Sequence, residues 1–458
     1  MRVVVCLRRG LDGELGTFDA AAYEAALRLA GAEVILLSMG PAQTAEYLHH
    51  LTRLGAKKAI LLCDPVFAGS DTLATAYILA AAIKKLSPEL VLCGRQTLVG
   101  DTGQVGPMLS AFLELPLITQ ATALQITDGL VVCNILEQGM QQEKMPALVT
   151  VERNFILRKP SIRSRLGEVE IWSKEDLAVN LEKCGLVGSP TRVLKTFENT
   201  AGKRKCQFIP LEELPTVLEK SLGEPKVKQE TVEEGKKLKK VCIVGETPRP
   251  LAETVGENIT VLPLTEEETI LQQIKTLSPD AVLWRSDPKS KALAGRISAR
   301  LGLGLCADCT ALEVEEDRLV MYRPALSGSV YAKIVSLTKP AMATVRAAKA
   351  GEDVVVTAGW GAKDNLGSVR HFAEKLGAQL GASRKVVDMG FMPYEAQVGL
   401  TGRKVCPKVY IAVGVSGAAH HIAGMEQSGI VIAINPDKNA PIFEFADYGI
   451  LAKAEELK

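Results

Sequence analysis

The sequence predicts an α/β protein built from two similar parallel-sheet domains and a third parallel α/β domain at its end. Three observations carry this. Short apolar runs of β type alternate with segments of helical spacing. Two long stretches of the chain repeat one another in the same order. Beyond the second copy, Val409 to Val413 and Ile430 to Ile434 are two more apolar runs, each followed by a small or polar loop.

The elements come in order. MRVVVCL opens the first copy as a buried strand. Tyr47, Leu48, Leu51 and Leu54 fall at helical spacing, and Gly55 stops that helix. Ala56 to Leu62 is the next strand, and Leu90 to Cys93 another. The repeat then shows itself. Ile83-Lys-Lys-Leu-Ser-Pro-Glu-Leu-Val-Leu92 aligns with Ile274-Lys-Thr-Leu-Ser-Pro-Asp-Ala-Val-Leu283. Thr122-Ala-Leu-Gln-Ile126 aligns with Thr310-Ala-Leu-Glu-Val314, and Met145 to Glu152 with Lys339 to Arg346. The second copy opens on KKVCIVG. Strand–helix alternation implies right-handed crossovers and a mostly parallel sheet, with ligands at the carboxyl ends of its strands. The expected domains are 1–197, 240–347 and 348–458. Residues 198–239 are expected as a linker, because GEPKVKQETVEEGKKLKK is charged and poor in large apolar residues.

Composition narrows the function. Lys and Arg number 54 against 53 Asp and Glu, a net charge of +1, which argues against a nucleic-acid binder. No stretch offers about 20 uninterrupted apolar residues, so no membrane span is expected. MRVVVCLRRG does not read as a secretory signal. Ten cysteines scattered through apolar runs suit reduced thiols in a cytoplasmic protein. Cys306 and Cys309 form the one CxxC, without the second pair or histidines that zinc wants, so no metal is expected.

Two groups of loops carry candidate chemistry. In the first copy they are Phe67-Ala-Gly-Ser-Asp-Thr72 and the run from Gly94 to Gly106. Gly100, Gly103 and Gly106 let backbone approach a ligand, and Asp101, Thr102 and Gln104 add polar ends. Such turns are also often mere connections. The second copy has Arg285-Ser-Asp-Pro-Lys-Ser-Lys at the equivalent place, without glycine, and reads as a scaffold. Near the end, Gly414-Val-Ser-Gly417 leads from a strand into a helical pattern, whose start would present free N–H groups to an anion. Arg384, Thr401, Ser416, His421, Asn435 and Asp447 complete a set that suits a nucleotide cofactor with a polar ring system. Ser416 lacks the last glycine of a nucleophile elbow, which argues against hydrolysis. His420 and His421, as sequence neighbours, diverge on a helix; a packed pair is the alternative to a ligand role.

These residues resemble an electron-transfer flavoprotein with beta and alpha subunits fused in that order. Residues 1 to about 197 resemble the beta subunit through MGPAQ, FAGSDT, GRQ…GDTGQVGP and GSPTRV. Residues 240 to 458 resemble the alpha subunit through ADCT, RPA, PAMATVR and the whole block from Gly381 to Gly449. The resemblance implies two similar parallel-sheet nucleotide-binding-like domains plus a C-terminal parallel α/β FAD-binding domain. It implies FAD held by Ser383, Arg384, Gln397, Val398, Thr401, Gly414, Ser416, Gly417, His420, His421, Asn435 and Asp447. In that frame Arg384 lies against the isoalloxazine, Thr401 meets N5 and His421 stands near the C2 carbonyl. A guanidinium ~4 Å from a reduced flavin, at an effective ε of 20, gains about 4 kcal/mol before desolvation. That bounds the rise in potential at roughly 170 mV.

The resemblance also implies a second nucleotide, AMP or a second FAD, surrounded by Cys6, Asp71, Thr72, Gly100, Asp101, Thr102, Gln104 and Val105. Several positions depart from the family's pattern. The segment Arg8 to Phe18 is short and lacks an Asn-Pro pair, and Trp360 replaces an Arg. His420 and Leu400 replace Gln, and Pro436 replaces Lys. The docking stretch Asn154 to Leu166 is atypical. The implied function is an electron shuttle from a flavin dehydrogenase of acyl-CoA-dehydrogenase type to a quinone oxidoreductase or other acceptor, as a monomer, with a hinge near Ala347–Glu352. The alternatives are an NADH-dependent bifurcating flavoprotein with two FAD, and a non-redox nucleotide-binding regulatory module.

Overall fold

The nine strands of the largest sheet lie, from edge to edge, in the order Gly139–Lys144, Leu130–Ile135, Leu117–Thr127, Ala147–Val151, Leu90–Gly94, Arg2–Cys6, Glu33–Met39, Lys58–Leu62 and Glu168–Trp172. All neighbours pair parallel except the two hairpin pairings at the first edge. The computed structural model describes residues 1–10, 13–97, 100–135, 138–198, 203–223, 236–246, 248–325, 330–346 and 353–457. The expected hinge at Ala347–Glu352 and the charged stretch 224–235 lie outside the described residues. Among the described residues no helix is long and apolar enough to cross a membrane.

A second, wholly parallel sheet has the order Gly256–Leu262, Leu238–Val244, Ala281–Arg285, Ala341–Val345, Leu305–Cys309. This is the order of the five central strands of the first sheet, as the sequence repeat requires. The correspondence reaches single backbone positions. Ser87 and Ser278 both close helices in the left-handed conformation, at φ 47° and 44°. Gln120 and Asp308 both have φ 60°, and their N–H groups donate to Thr150 Oγ1 and Thr344 Oγ1. The helices Thr72–Leu86, Val105–Leu113 and Pro288–Leu301 bury apolar faces in one shared core that includes Ile78, Met108, Leu109, Trp284 and Ile297. Arg296 ties the copies further, donating to Ser110 Oγ at 2.7 Å. A smaller sheet has the order Thr191–Glu198, Val330–Ser336, Arg318–Ala325, Ala311–Glu315.

By its internal contacts the chain divides into two units. The first holds residues 1–195, 236–323 and 332–346, so the two expected domains 1–197 and 240–347 lie almost entirely within one compact body. The second holds residues 196–235, 324–331 and 347–458. Its sheet is parallel throughout, in the order Gln207–Phe208, Tyr448–Ile450, Ile430–Ile434, Val409–Val413, Val354–Ala358, Gln379–Ala382.

Residues 203–223 correct the linker expectation. They supply a strand of this sheet and the helix Leu214–Gly223, with Ile209, Leu214 and Leu218 buried in the core. The charged composition that argued for a linker belongs to GEPKVKQETVEEGKKLKK, from Gly223 onward. A few well-spaced apolar side chains suffice to dock the earlier part.

Candidate functional site

The carboxyl ends of the strands Arg2–Cys6, Glu33–Met39, Lys58–Leu62 and Leu90–Gly94 open into a cavity of about 1070 Å³ within the first unit. Cys6, Asp71, Thr72, Gly100, Thr102, Gln104 and Val105 all line it. Asp101 does not; it is buried at φ 49°, its Oδ1 accepts from Gln96 Nε2 and its carbonyl accepts from Arg323. Asp101 therefore shapes the loop from beneath.

Local chemistry explains each wall. Asp71 caps Thr72–Leu86, its Oδ1 accepting from the Leu73 and Ala74 N–H groups. Its Oδ2 accepts from the N–H and hydroxyl of Thr191. The carboxylate expected to meet the ligand is thus engaged within the protein, and Asp71 positions the wall instead. Gly94 lets the helix Thr17–Leu27 press against the strand end, for a Cβ there would meet Asp19 Oδ1 at 2.5 Å. The helix Val105–Leu113 points its first turn at the cavity, where Val105 and Gly106 line it. Helix-start N–H groups lack intrahelical partners and favour anions. Gln104 stands just before them, fully buried, and among the described residues neither its amide oxygen nor its amide nitrogen is hydrogen bonded.

Sequence reasoning missed several lining residues, among them Arg8, Asp19 and Cys93. The register of Arg2–Cys6 with Leu90–Gly94 would have found Cys93, since it pairs with Cys6. Arg95 lies 3.1 Å from the buried Glu152 and its guanidinium covers the Phe18 ring. Burial pushes the Asp19 carboxyl up to about 7, against the lowering influence of the Arg8 N–H and charge. Burial also lowers Arg8, opposed by Asp19. The net result is a polar, partly neutralised pocket with its clearest anion-binding feature at the helix start.

In the second unit the candidate residues collect along one edge of the sheet. Gly359, Ser383, Gly414 and Asn435 each come directly after the end of a parallel strand. Ser383 donates its N–H to the Ala358 carbonyl, Val398 to that of Ala382, and Leu400 to that of His420. Gln397 and Thr401 meet there, with Gln397 Nε2 donating to Thr401 Oγ1 at 2.8 Å. Gly414 and Gly417 have φ 63° and 94°, and a Cβ on Gly417 would strike the Ile442 backbone. The loop from Gly414 to Gly417 can close only with glycine at both places. Ser416 is exposed, and Asn435 braces the loop by donating to the Val415 carbonyl. Arg384 is half-exposed and pairs with Asp388 at 3.1 Å.

Two expectations change, for the helix start and for Asp447, and His421 acquires a buried partner. The helix after this loop is one turn, Ala419–Ile422, too short to present a strong dipole. His421 is buried and its Nε2 is 2.8 Å from the Tyr410 hydroxyl, while exposed His420 faces away from that core. Burial lowers the His421 pKa to about 4, with the Val398 backbone opposing, so its ring is neutral. Asp447 is not at this edge at all. It precedes the strand Tyr448–Ile450, beside the start of Ile430–Ile434, where it accepts from Val431 N–H and binds Arg204. A parallel strand carries its entry and exit on opposite edges, and sequence proximity had joined the two.

The edge fits a flavin nucleotide on its own terms. Among the described residues, Ser383 Oγ and Gln397 Oε1 are buried polar atoms without hydrogen-bond partners. Buried polar atoms in native proteins are normally paired, so these two mark a place for a ligand.

Comparison with known proteins agrees. Residues 3–177 and 256–358, more than half of the chain, match the family model described as the electron transfer flavoprotein domain. One model thus falls on both copies of the repeat. Residues 350–426 match the electron transfer flavoprotein FAD-binding domain. Electron transfer flavoprotein subunit alpha of Thermoanaerobacterium thermosaccharolyticum is 34% identical over 233 residues, covering 40% of this chain and 70% of that protein. Subunit beta of the same organism is 38% identical over 202 residues, 42% of this chain and 78% of that protein. The caffeyl-CoA reductase-Etf complex subunit CarD of Acetobacterium woodii is 38% identical over 210 residues, 43% of this chain and 79% of that protein. The repeated parallel sheets, the FAD-binding domain and these matches together mean that the chain belongs to the electron transfer flavoprotein family.

Proposed function

We propose that the chain is a cytoplasmic electron carrier in which beta-like and alpha-like portions are joined in that order, and that it works as a monomer. FAD is held at the carboxyl edge of the second unit by Ser383, Arg384, Gln397, Val398, Thr401, Gly414, Ser416, Gly417 and Asn435. Bound there, FAD supplies reversible uptake and release of electrons. The protein's residues orient it and bias its potential. The Arg384 charge favours the reduced, anionic ring, but its pairing with Asp388 and its exposure keep that bias to tens of millivolts, well under the bound from an isolated charge. Neutral His421 works through Tyr410 and the loop backbone. The donor is a flavin dehydrogenase of acyl-CoA-dehydrogenase type, and the acceptor a quinone oxidoreductase or similar flavoprotein.

The N-terminal cavity takes AMP, with phosphate at the start of Val105–Leu113 and Gln104, Thr72 and Thr102 as polar contacts. The observation that supports the whole reading best is the pair of orphaned buried atoms, Ser383 Oγ and Gln397 Oε1, within the FAD-binding domain. A second reading, bifurcation with two FAD and NADH, draws support from the cavity's volume, which lies at the upper end of small-molecule sites and has room for a dinucleotide. The purified protein's visible spectrum, flavin-to-protein ratio and bound AMP decide between them. One flavin with AMP supports the carrier. Two flavins bleached by NADH support bifurcation. A colourless protein that refuses added FAD sinks both and leaves the regulatory module.

A further inference from the structure

Two thiols that electron carriage does not use face the N-terminal cavity side by side. Cys6 ends the strand Arg2–Cys6, Cys93 lies in the adjacent parallel strand Leu90–Gly94, and the two are register partners. Neighbouring strands stand about 4.7–4.9 Å apart, and register partners project to the same face. That spacing falls inside the range of about 4.4–6.8 Å that a disulfide requires between Cα atoms. Both side chains belong to one core cluster and both line the cavity, so a small reagent in the cavity meets them together. The CxxC pair, Cys306 and Cys309, is buried and lies outside that lining.

Their environment assigns them different roles. The hydrogen bond with Cys6, burial, and the Cys6 and Asp19 charges all push the Cys93 thiol up. Cys93 is therefore the thiol that resolves, and its register partner Cys6 is the one that attacks first. The thiolate is the nucleophile in disulfide exchange.

We propose that Cys6 and Cys93 form a reversible dithiol–disulfide site in the cavity wall, with a small disulfide RSSR as oxidant. The Cys6 thiolate attacks one sulfur of RSSR, forming Cys6–S–S–R and releasing RS⁻. Cys93 then loses its proton and attacks the Cys6 sulfur, and the second RS⁻ leaves. Two protein thiols are oxidised to one disulfide, RSSR is reduced to two RSH, and the two thiol protons pass to the two released thiolates. A nucleotide in the cavity covers the pair and slows the exchange; this last part rests on the nucleotide reading above.

The test uses the full chain and 2-hydroxyethyl disulfide, followed by iodoacetamide, digestion and mass spectrometry. The expected product is a peptide pair joined through Cys6 and Cys93, cleaved by dithiothreitol. AMP at about ten times its Kd slows its formation about tenfold. Cys93→Ser traps the mixed disulfide on Cys6. The proposal is overturned if Cys6 and Cys93 both take up iodoacetamide with no joined peptide, or if the Cys93→Ser protein carries no adduct on Cys6. If the pair joins but AMP gives no protection, the dithiol site stands and the nucleotide reading of the cavity fails.

Discussion

Replacing Gln104 by Met should move stability and ligand affinity in opposite directions. Gln104 is fully buried, and neither end of its amide has a hydrogen-bond partner among the described residues. It does not cap the adjoining helix with its side chain. It packs against Gly295, which has no side chain to interfere. A buried donor or acceptor left unpaired costs about 1–3 kcal/mol. Methionine keeps the length and unbranched shape and removes both polar atoms, so the nucleotide-free protein should gain about 1–3 kcal/mol. If the cavity binds AMP as proposed, the bound state loses a hydrogen bond from the amide, worth about 1–2 kcal/mol, so AMP affinity should fall roughly 5- to 30-fold. Urea unfolding of the nucleotide-free protein, tracked by the fluorescence of Trp172 and Trp284 in the same unit, reads the first effect. Calorimetric titration with AMP reads the second. A lower urea midpoint together with unchanged AMP affinity would refute the reasoning, because the amide would then be serving the protein and not a ligand.

Asp71→Ala removes a helix cap and orphans the Thr191 N–H, so urea unfolding should show a loss of about 2–4 kcal/mol. Asp71→Asn, which keeps the cap acceptor, should recover a good part of it. Asp19 titrates near 7 when folded and near 3.8 when unfolded, so the folded state holds the extra proton between these values. Its contribution is present below pH 3.8 and is lost as pH rises towards 7, by up to about 4 kcal/mol. Asp19→Asn should flatten that fall in a series of urea titrations; an unchanged slope would mean that the carboxyl is ionised in the native protein. Gly417→Ala forces a side chain onto a backbone at φ 94° and into Ile442, so the purified protein should carry markedly less flavin per chain. Full flavin content in that variant would show that the loop tolerates rebuilding.

Strand positions were the most legible part of the chain. Val409–Val413 and Ile430–Ile434 lie where the apolar runs put them, and the repeat foretold a shared strand order down to Ser87 and Ser278. Those signals are local or are duplicated in the sequence. The cavity wall was legible where glycines and polar ends come after a strand, as at Gly100 to Val105. Cys93 and Asp19 were not, because their role depends on which strands become neighbours. Asp447 misled for the same reason: sequence proximity to a site loop says nothing about which end of a sheet a residue occupies. The docking of Leu214 and Leu218 was hidden behind the charged run just beyond them. The partnering of His421 with Tyr410 likewise appears only once the strand and the turn are folded together.

The second unit is assembled from the two ends of a long stretch of chain. Arg204 binds Asp447 across 243 positions, and Gln207–Phe208 pairs with Tyr448–Ile450. During synthesis at about 5–20 residues per second, the early strand and its helix wait roughly 10–50 s for the segment that completes them. A nascent chain released or cleaved in that interval carries Ile209, Leu214 and Leu218 uncovered, a ready target for chaperones. Expression of residues 353–457 alone would leave a parallel sheet short of its outermost strand, so truncation trials of the flavin domain should begin by appending residues 203–223.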